Sequence, residues 1–357
     1  MKLIELNILQ SFPVSCLNRD DMGAPKSATF GEVPRARLSS QCIKRAIREY
    51  AKDNLPDARF GGERTKLIVQ PLATAWEKNG LDAKAAMDHA TNIADKLAKL
   101  DAKSMKNGEV PQVGTLTFMA PSEIEAIASK VAELVISNPK TKDYEKKLGQ
   151  YAKSAELMDG ADIALFGRMA ASMPSLALEG AAMFSHALST HKTENDLDFF
   201  SALDERKPKG DHAGAGMIST QEFNSAVYYR YAAVNLDLLF DKDHLGNLTS
   251  EERKKVVAAF IKATVMAVPG ARKNSMNANV PPSYVLGVYK EAGQPVQLIN
   301  AFENPVRGTG LVDASRKALE AHHAALKTAW GITTTEEVTV PDVPLATLIE
   351  KLTNHVQ

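Results

Sequence analysis

Seven basic side chains, Arg19, Lys26, Arg35, Arg37, Lys44, Arg45 and Arg48, fall between Asn18 and Arg48, against three acidic ones, Asp20, Asp21 and Glu32. The chain as a whole is balanced, with 43 lysines and arginines and 43 aspartates and glutamates. Cations gathered into one segment of a neutral chain suit a polyanion, because Lys and Arg are the side chains that neutralise phosphates. Two carboxylate pairs lie near the basic elements, Asp20-Asp21 and Asp159 with Asp162. A metal-dependent ribonuclease would need two or more carboxylates converging on a divalent ion, and these are the close pairs that could begin such a site. The more ordinary role is pairing with Arg19 or its neighbours to fix the loop. No serine–histidine–aspartate signature, phosphate loop or dinucleotide fingerprint is present.

A helix must carry the second half of this segment. Ser39 or Ser40 is a good N-cap, and from there Ile43, Ala46, Ile47 and Tyr50 recur at helical spacing on a packing face. Gln41, Lys44, Arg45 and Arg48 repeat the spacing about 200° away, on a free face. Unpaired N–H groups and the positive dipole end at such a helix start suit phosphates. Just upstream, the Arg35-Ala-Arg37 alternation aims both arginines to one side of an extended strand. A second candidate contact is GADIALFGRMAAS: Gly167 and its small neighbours permit close backbone approach to a phosphodiester, Arg168 supplies charge, and Met169 is a flexible apolar wedge. A third is DLDFFSALDERKPKGDHAGAGMISTQEF. Its centre is turn chemistry flanked by runs with strand tendency, so Phe199 and Phe200 are expected on an arm, one ring packed and the other presented for stacking on a base.

Residues 2–9 alternate as a strand with Ile4, Leu6 and Ile8 on one face. From about Gln70 to Lys153 the composition turns to alanine, lysine and glutamate in amphipathic stretches, one opening on Ser122 as a capping residue, with a break at Asn107–Gly114. Beyond it, EFNSAVYYRYAAVNL reads as a central strand and Ser250–Val268 as a helix stopped by Pro269-Gly270. Strands around Tyr284–Tyr289 and Gln297–Phe302 complete a strand, helix, strand, strand, helix, strand order, the ferredoxin-like arrangement of RNA-recognition domains. The loop after Pro269-Gly270 carries Arg272 and Lys273 and has no assigned role. The two cysteines, Cys16 and Cys42, lack CxxC spacing and read as free thiols; His186 with His191, and His322 with His323, lack metal-ligand spacing. Glu5 and Asn7 interrupt the first apolar run, so no signal peptide or membrane span is expected and the location reads as cytoplasmic.

The run LNRDDMGAPKSATFGEVPRARLSSQCIKRAIR, with GRMAAS (Gly167–Ser172), THKTENDLDFF (ending at Phe200) and STQEFNSAVYYRY (Ser219–Tyr231), resembles the CasC-type backbone subunits of type I-E CRISPR Cascade complexes. The likeness runs in order from the first strand to Ser275 and is looser in the helical middle and the last eighty residues. It implies an α+β fold: an RRM-like (ferredoxin-like) palm from residues 1–58 and 160–357, a helical fingers insertion at 59–159, and a protruding β-hairpin thumb at 192–222. It implies a non-catalytic subunit that oligomerises along a CRISPR RNA and presents the guide bases to target DNA, with no cofactor or metal; the alternative is a metal-dependent ribonuclease of the same superfamily, since backbone subunits of the related type III complexes cut RNA with a loop aspartate, a role that would fall to Asp21. Its partners would be other copies of itself and the large, small, 5′-end capping and 3′-end processing subunits. The residues matching the guide-backbone positions are Asn18, Arg19, Lys26, Ser39, Gln41, Lys44, Arg45 and Arg48, with Arg168 and Ser172 in the second block. Met169 and Phe200 match a pair on either side of a displaced base, with Ile218 as a third member.

Overall fold

A computed structural model describes residues 1–104, 110–138, 141–202 and 217–357. In chain order the strands are β1 (Leu3–Ser15), β2 (Ser27–Phe30), β3 (Val33–Leu38), β4 (Glu63–Thr65), β5 (Thr117–Met119), β6 (Ala182–Phe184), β7 (Ala187–Ser189), β8 (Asp196–Ala202), β9 (Met217–Asn235), β10 (Tyr284–Lys290) and β11 (Glu336–Val340). The α-helices are α1 (Ser40–Asn54), α2 (Val69–Lys78), α3 (Ala83–Ala98), α4 (Pro121–Ser137), α5 (Leu148–Lys153), α6 (Ala161–Phe166), α7 (Leu236–Leu239), α8 (Ser250–Met266), α9 (Leu311–Trp330) and α10 (Leu345–Thr353). Two compact units result, one of Met1–Tyr50, Phe184–Ala233 and Ile261–His355, the other of Ala51–Met183, Val234–Phe260 and Val356–Gln357. The second is wider than the helical insertion expected at 59–159.

The first unit is built on a sheet ordered β11-β10-β1-β9-β7-β3-β2, with β8 pairing β9 off that path. The pairs β1–β10, β10–β11, β7–β9 and β8–β9 are antiparallel. β1 is longer than the alternation predicts and buried on both faces, because β10 and β9 flank it and helices and turns cover the sheet. Fully burying each of Leu3, Ile4, Leu6 and Ile8 contributes roughly 1.5–3 kcal/mol. The polar residues of β1 are satisfied inside the unit. Glu5 receives Lys290 Nζ, Tyr231 OH at 2.6 Å and Val296 N at 2.7 Å. Asn7 Oδ1 accepts from Tyr229 OH at 2.7 Å, and Gln10 accepts from Arg230. Truncating Glu5 would strand a buried ammonium, a loss of about 3–5 kcal/mol.

The expected strand at Gln297–Phe302 is instead a 3-10 turn, Ile299–Phe302, whose Phe302 ring packs 5.6 Å from Tyr229. Its β-branched and aromatic residues serve as a plug over the sheet, and β11, unread in the sequence, takes the edge beside β10.

In the second unit, α2, α3, α4 and α5 enclose an apolar core of Ile68, Leu72, Trp76, Ile93, Ile127, Val131 and Leu148. Asp82 caps α3 by accepting from Lys84 N and Ala85 N. α4 begins differently from expectation. Ala120 is its N-cap residue and Pro121 its first position, while the Glu123 carboxylate accepts from Ala120 N at 3.0 Å. The Ser122 hydroxyl is donated to Asp159, whose other oxygen accepts from Ser122 N at 3.2 Å.

Candidate nucleic-acid interface

In the first unit the basic segment folds as loop, hairpin and helix tied together by backbone bonds. Lys26 N donates to Asn18 O (2.8 Å) and Arg37 N to Lys26 O (2.9 Å). Asp20 fixes the loop through backbone groups and, among the described residues, not through an arginine: its Oδ1 accepts from Met22 N (2.9 Å) and Ala24 N (3.0 Å). Asp21 is exposed beside it.

Ser39 is the cap of α1, its Oγ accepting from Cys42 N at 3.2 Å, and Asn18 Oδ1 accepts from Ser39 N at 2.8 Å. Both side chains therefore shape the helix start from within, and Ser39 is itself buried. Ile43, Ala46 and Ile47 are buried and Tyr50 is half-buried, while Gln41 and Arg45 are exposed and Lys44 and Arg48 half-buried. The two helical stripes are thus where the spacing puts them. Lys44 lies 5.4 Å over the Phe184 ring. Arg45 pairs with Glu49 at 2.7 Å in an exposed i,i+4 contact, worth only about 0.3–0.5 kcal/mol and so exchangeable for a phosphate. Arg19 is exposed and Lys26 half-buried in the same segment.

Arg35, which the alternation puts on the same side of the strand as Arg37 and which is not among the residues matched to the guide backbone, faces inward. It is fully buried and donates to four carbonyls, Phe30 O (3.1 Å), Ser189 O (3.0 Å), Phe302 O (2.7 Å) and Glu303 O (3.2 Å). Burial pulls its pKa below the ordinary value. The hairpin of β2 and β3 turns on Gly31 and Glu32, both at positive φ, and a Cβ on Gly31 would collide with Glu303 O. Arg35 ties that close-packed tip to the 302–303 turn. Arg37 stays half-buried, its Nε enclosed without a partner among the described residues.

The second block of candidates lies in the second unit. Arg168 was expected to offer charge to a ligand; its side chain is only 6% exposed and its guanidinium is committed internally. Nη1 donates to Glu123 Oε1 (2.9 Å), Glu123 Oε2 (2.7 Å) and Phe118 O (3.1 Å), and Nε to Leu176 O (2.7 Å). The close approach that Gly167 permits is to the chain's own backbone: with φ at +77°, it leaves 2.9 Å between a would-be Cβ and Gly180 N. What this packing presents is Met169, 93% exposed, with Ser172 exposed three residues further on. Met169 stands at a shallow pocket lined also by Leu97, Leu116, Phe118 and Leu176.

The arm is a two-stranded ribbon in the first unit, β8 against the start of β9, with Phe199 opposite Thr220, Phe200 opposite Ser219 and Ser201 opposite Ile218. Neighbouring residues of a strand face opposite ways, so the two rings occupy opposite faces of the ribbon. Phe199 is the more exposed, at 66% against 38% for Phe200, and Leu197 shares its face. The expected turn at Arg206–Gly216 lies outside the described residues. Among the described residues no group of three His, Cys, Asp or Glu side chains is placed to hold a metal ion, and no helix is long and apolar enough to cross a membrane. Asp162 is buried and accepts from Gly62 N at 3.0 Å.

The sheet, the basic helix start and the ribbon arm define a class of α+β protein that the comparisons make specific. The chain belongs to the CT1975-like protein family, matched over residues 4–353. That family agrees with the CasC-type likeness drawn from the sequence. Among solved structures it is similar to a chain of a CRISPR RNA-guided surveillance complex, pre-nicking, at 28% identity and a TM-score of 0.83, covering 99% of this chain and 100% of that one. A chain of a second CRISPR RNA-guided surveillance complex shares the fold at 24% identity and a TM-score of 0.70, covering 99% of each. No curated protein matches the sequence.

Proposed function

We propose that this protein is a non-catalytic backbone subunit of a type I-E Cascade complex, several copies of which stack along one CRISPR RNA and hold its backbone while guide bases pair with target DNA. What carries the reading is the basic helix start: Arg19, Lys26, Gln41, Lys44, Arg45 and Arg48, exposed or half-buried, lie in one loop-and-helix segment in which Asn18 and Ser39 brace the start of α1. The end-to-end likeness to a surveillance-complex chain supports it. In this reading Met169 and Phe200, with Ile218, displace a base, and Arg168 acts indirectly by holding Met169 out.

The order of the inner strands supports an RRM-like palm: β1, α1, β7, β9, α8 and β10 follow one another in the chain, and the strands lie as β10-β1-β9-β7. RNA-recognition domains stack bases on aromatic side chains of the central strands. Here Phe12, Tyr228, Tyr229 and Tyr231 are buried, so the guide is held by the basic loop and helix and by the arm.

Native mass spectrometry with single-stranded RNAs of stepwise increasing length, in magnesium, tests the reading. Copies rising in regular steps on intact RNA are expected. A plateau at one copy would overturn it, and RNA that is shortened by the wild-type protein but stays intact with Asp21→Ala would point to a ribonuclease instead.

A further inference from the structure

The loop that follows α8, Pro269–Ser275, takes no part in the surface described above, yet one residue in it is unusually constrained. Arg272 has a left-handed backbone, φ +54°, which a residue with a side chain holds only where its surroundings dictate it. Two sets of contacts do so. Its carbonyl accepts from Met276 N (2.8 Å), Ser275 N (3.1 Å) and Ser275 Oγ (3.3 Å). Its guanidinium reaches the arm, Nη1 donating to Gln221 Oε1, while Nε is enclosed without a partner among the described residues. Gln221 Nε2 donates in turn to Asp198 Oδ2 at 3.0 Å, and Gln221 and Asp198 are directly opposed across β8 and β9. The chain of contacts Arg272–Gln221–Asp198 therefore crosses both strands of the ribbon. It does so one residue pair from Phe199 and two from Phe200.

We propose that Arg272 is a positioning residue for the arm: a strut from the palm that fixes the ribbon's pitch, and through it the register at which one copy engages the next along RNA. The inference rests on the reading above for what the arm engages, not for the strut itself. A polar strut suits this place better than an apolar one. Hydrogen bonds from a planar guanidinium fix a direction, whereas apolar contact at an exposed ribbon fixes only proximity.

Two measurements test it. In the RNA-free protein, Arg272→Ala is expected to speed amide exchange through Asp196–Phe200 by about tenfold while leaving β1 and β10 unchanged; unaltered exchange in the ribbon overturns the strut. On RNA, Arg272→Ala is expected to leave the first copy's affinity on a short oligonucleotide within about twofold and to weaken loading of later copies by about tenfold, the size of an ordinary coupling between sites. Gln221→Leu, which leaves the charge in place, should reproduce that split, and the double variant should be no worse than either single one. Arg272→Lys, which retains a donor, should restore part of the loading. Equal weakening of the first and later copies would make Arg272 an RNA ligand and overturn the proposal. Wild-type protein that never loads a second copy would overturn the functional reading alone, and amide exchange would still decide the strut.

Discussion

Replacing Glu123 by leucine should cost the second unit about 4–6 kcal/mol. The carboxylate is 1% exposed and the Arg168 side chain 6%, so the substitution leaves a buried guanidinium without its counter-charge, a loss of about 3–5 kcal/mol. It also removes the acceptor for Ala120 N at the start of α4, worth about 1 kcal/mol. Adding Arg168→Met should recover part of this loss. The double variant no longer buries an unpaired charge, and what remains is the lost cap and two carbonyls, Phe118 O and Leu176 O, deprived of a donor at about 1 kcal/mol apiece. It is therefore expected at about 3 kcal/mol, less than the single substitution. Urea unfolding followed by tryptophan fluorescence reads this locally. Trp76 is fully buried in the second unit, with its indole N–H on Ala128 O at 2.8 Å, whereas Trp330 is exposed in the first. A two-unit chain has no single unfolding free energy, so the Trp76 transition is the relevant one. A Glu123→Leu loss below about 1 kcal/mol, or a double variant worse than the single, would show that the pair is not the buried clamp described here.

Lys44→Ala combined with Arg48→Ala should reduce the slope of log K against log salt by about 1.4, at about 0.7 per phosphate contact on a single strand; an unchanged slope in filter binding would remove both residues from the interface. Phe200→Ala should restore stacking of the displaced base, read by a fluorescent base analogue in the guide, with affinity changed by less than about tenfold; a signal that responds to Phe199→Ala and not to Phe200→Ala would assign the contact to the other face of the ribbon. At Glu337 burial raises the pKa, but hydrogen bonds from Lys327, Thr334 and His323 outweigh it and hold the carboxyl at about 2. Its folded pKa lies below its unfolded one, so its stabilisation is complete above about pH 4.5 and disappears as pH falls towards 2, roughly 1 kcal/mol after solvent screening. Glu337→Gln should flatten the acid limb of the thermal stability curve, and an unchanged limb would refute the linkage.

Features set by local chemistry were legible in the sequence. The Ser39 cap, the two stripes of α1, β9 as a central strand and the end of α8 near Pro269 each depend on a few neighbouring residues. What stayed hidden depends on partners remote in the chain. Arg168 has the sequence appearance of a ligand-facing cation, and it is remote partners, Glu123 and Phe118, that help make it internal, as Ser189, Phe302 and Glu303 do for Arg35. A signal for Arg168 existed in part, since Glu123 sits two residues after Pro121 where a helix start wants a carboxylate; nothing in the sequence joins it to an arginine 45 positions away. The apolar run at Gln297–Phe302 suits a strand or a plug equally, and the edge it might have filled went to β11. Gly167 carried a correct message about close approach, but its neighbour proved to be Gly180.

The ribbon arm has a parity. Side chains along β8 and β9 alternate between its faces, so lengthening both strands by one residue below the aromatic pair would exchange the outlooks of Phe199 and Phe200, whereas adding two would preserve them and extend the reach by about 6.8 Å. Gains or losses of length in this appendage are therefore tolerable in even steps only, and a variant with a longer arm that keeps its facing would have a new footprint on RNA, measurable as a different number of nucleotides for each copy bound.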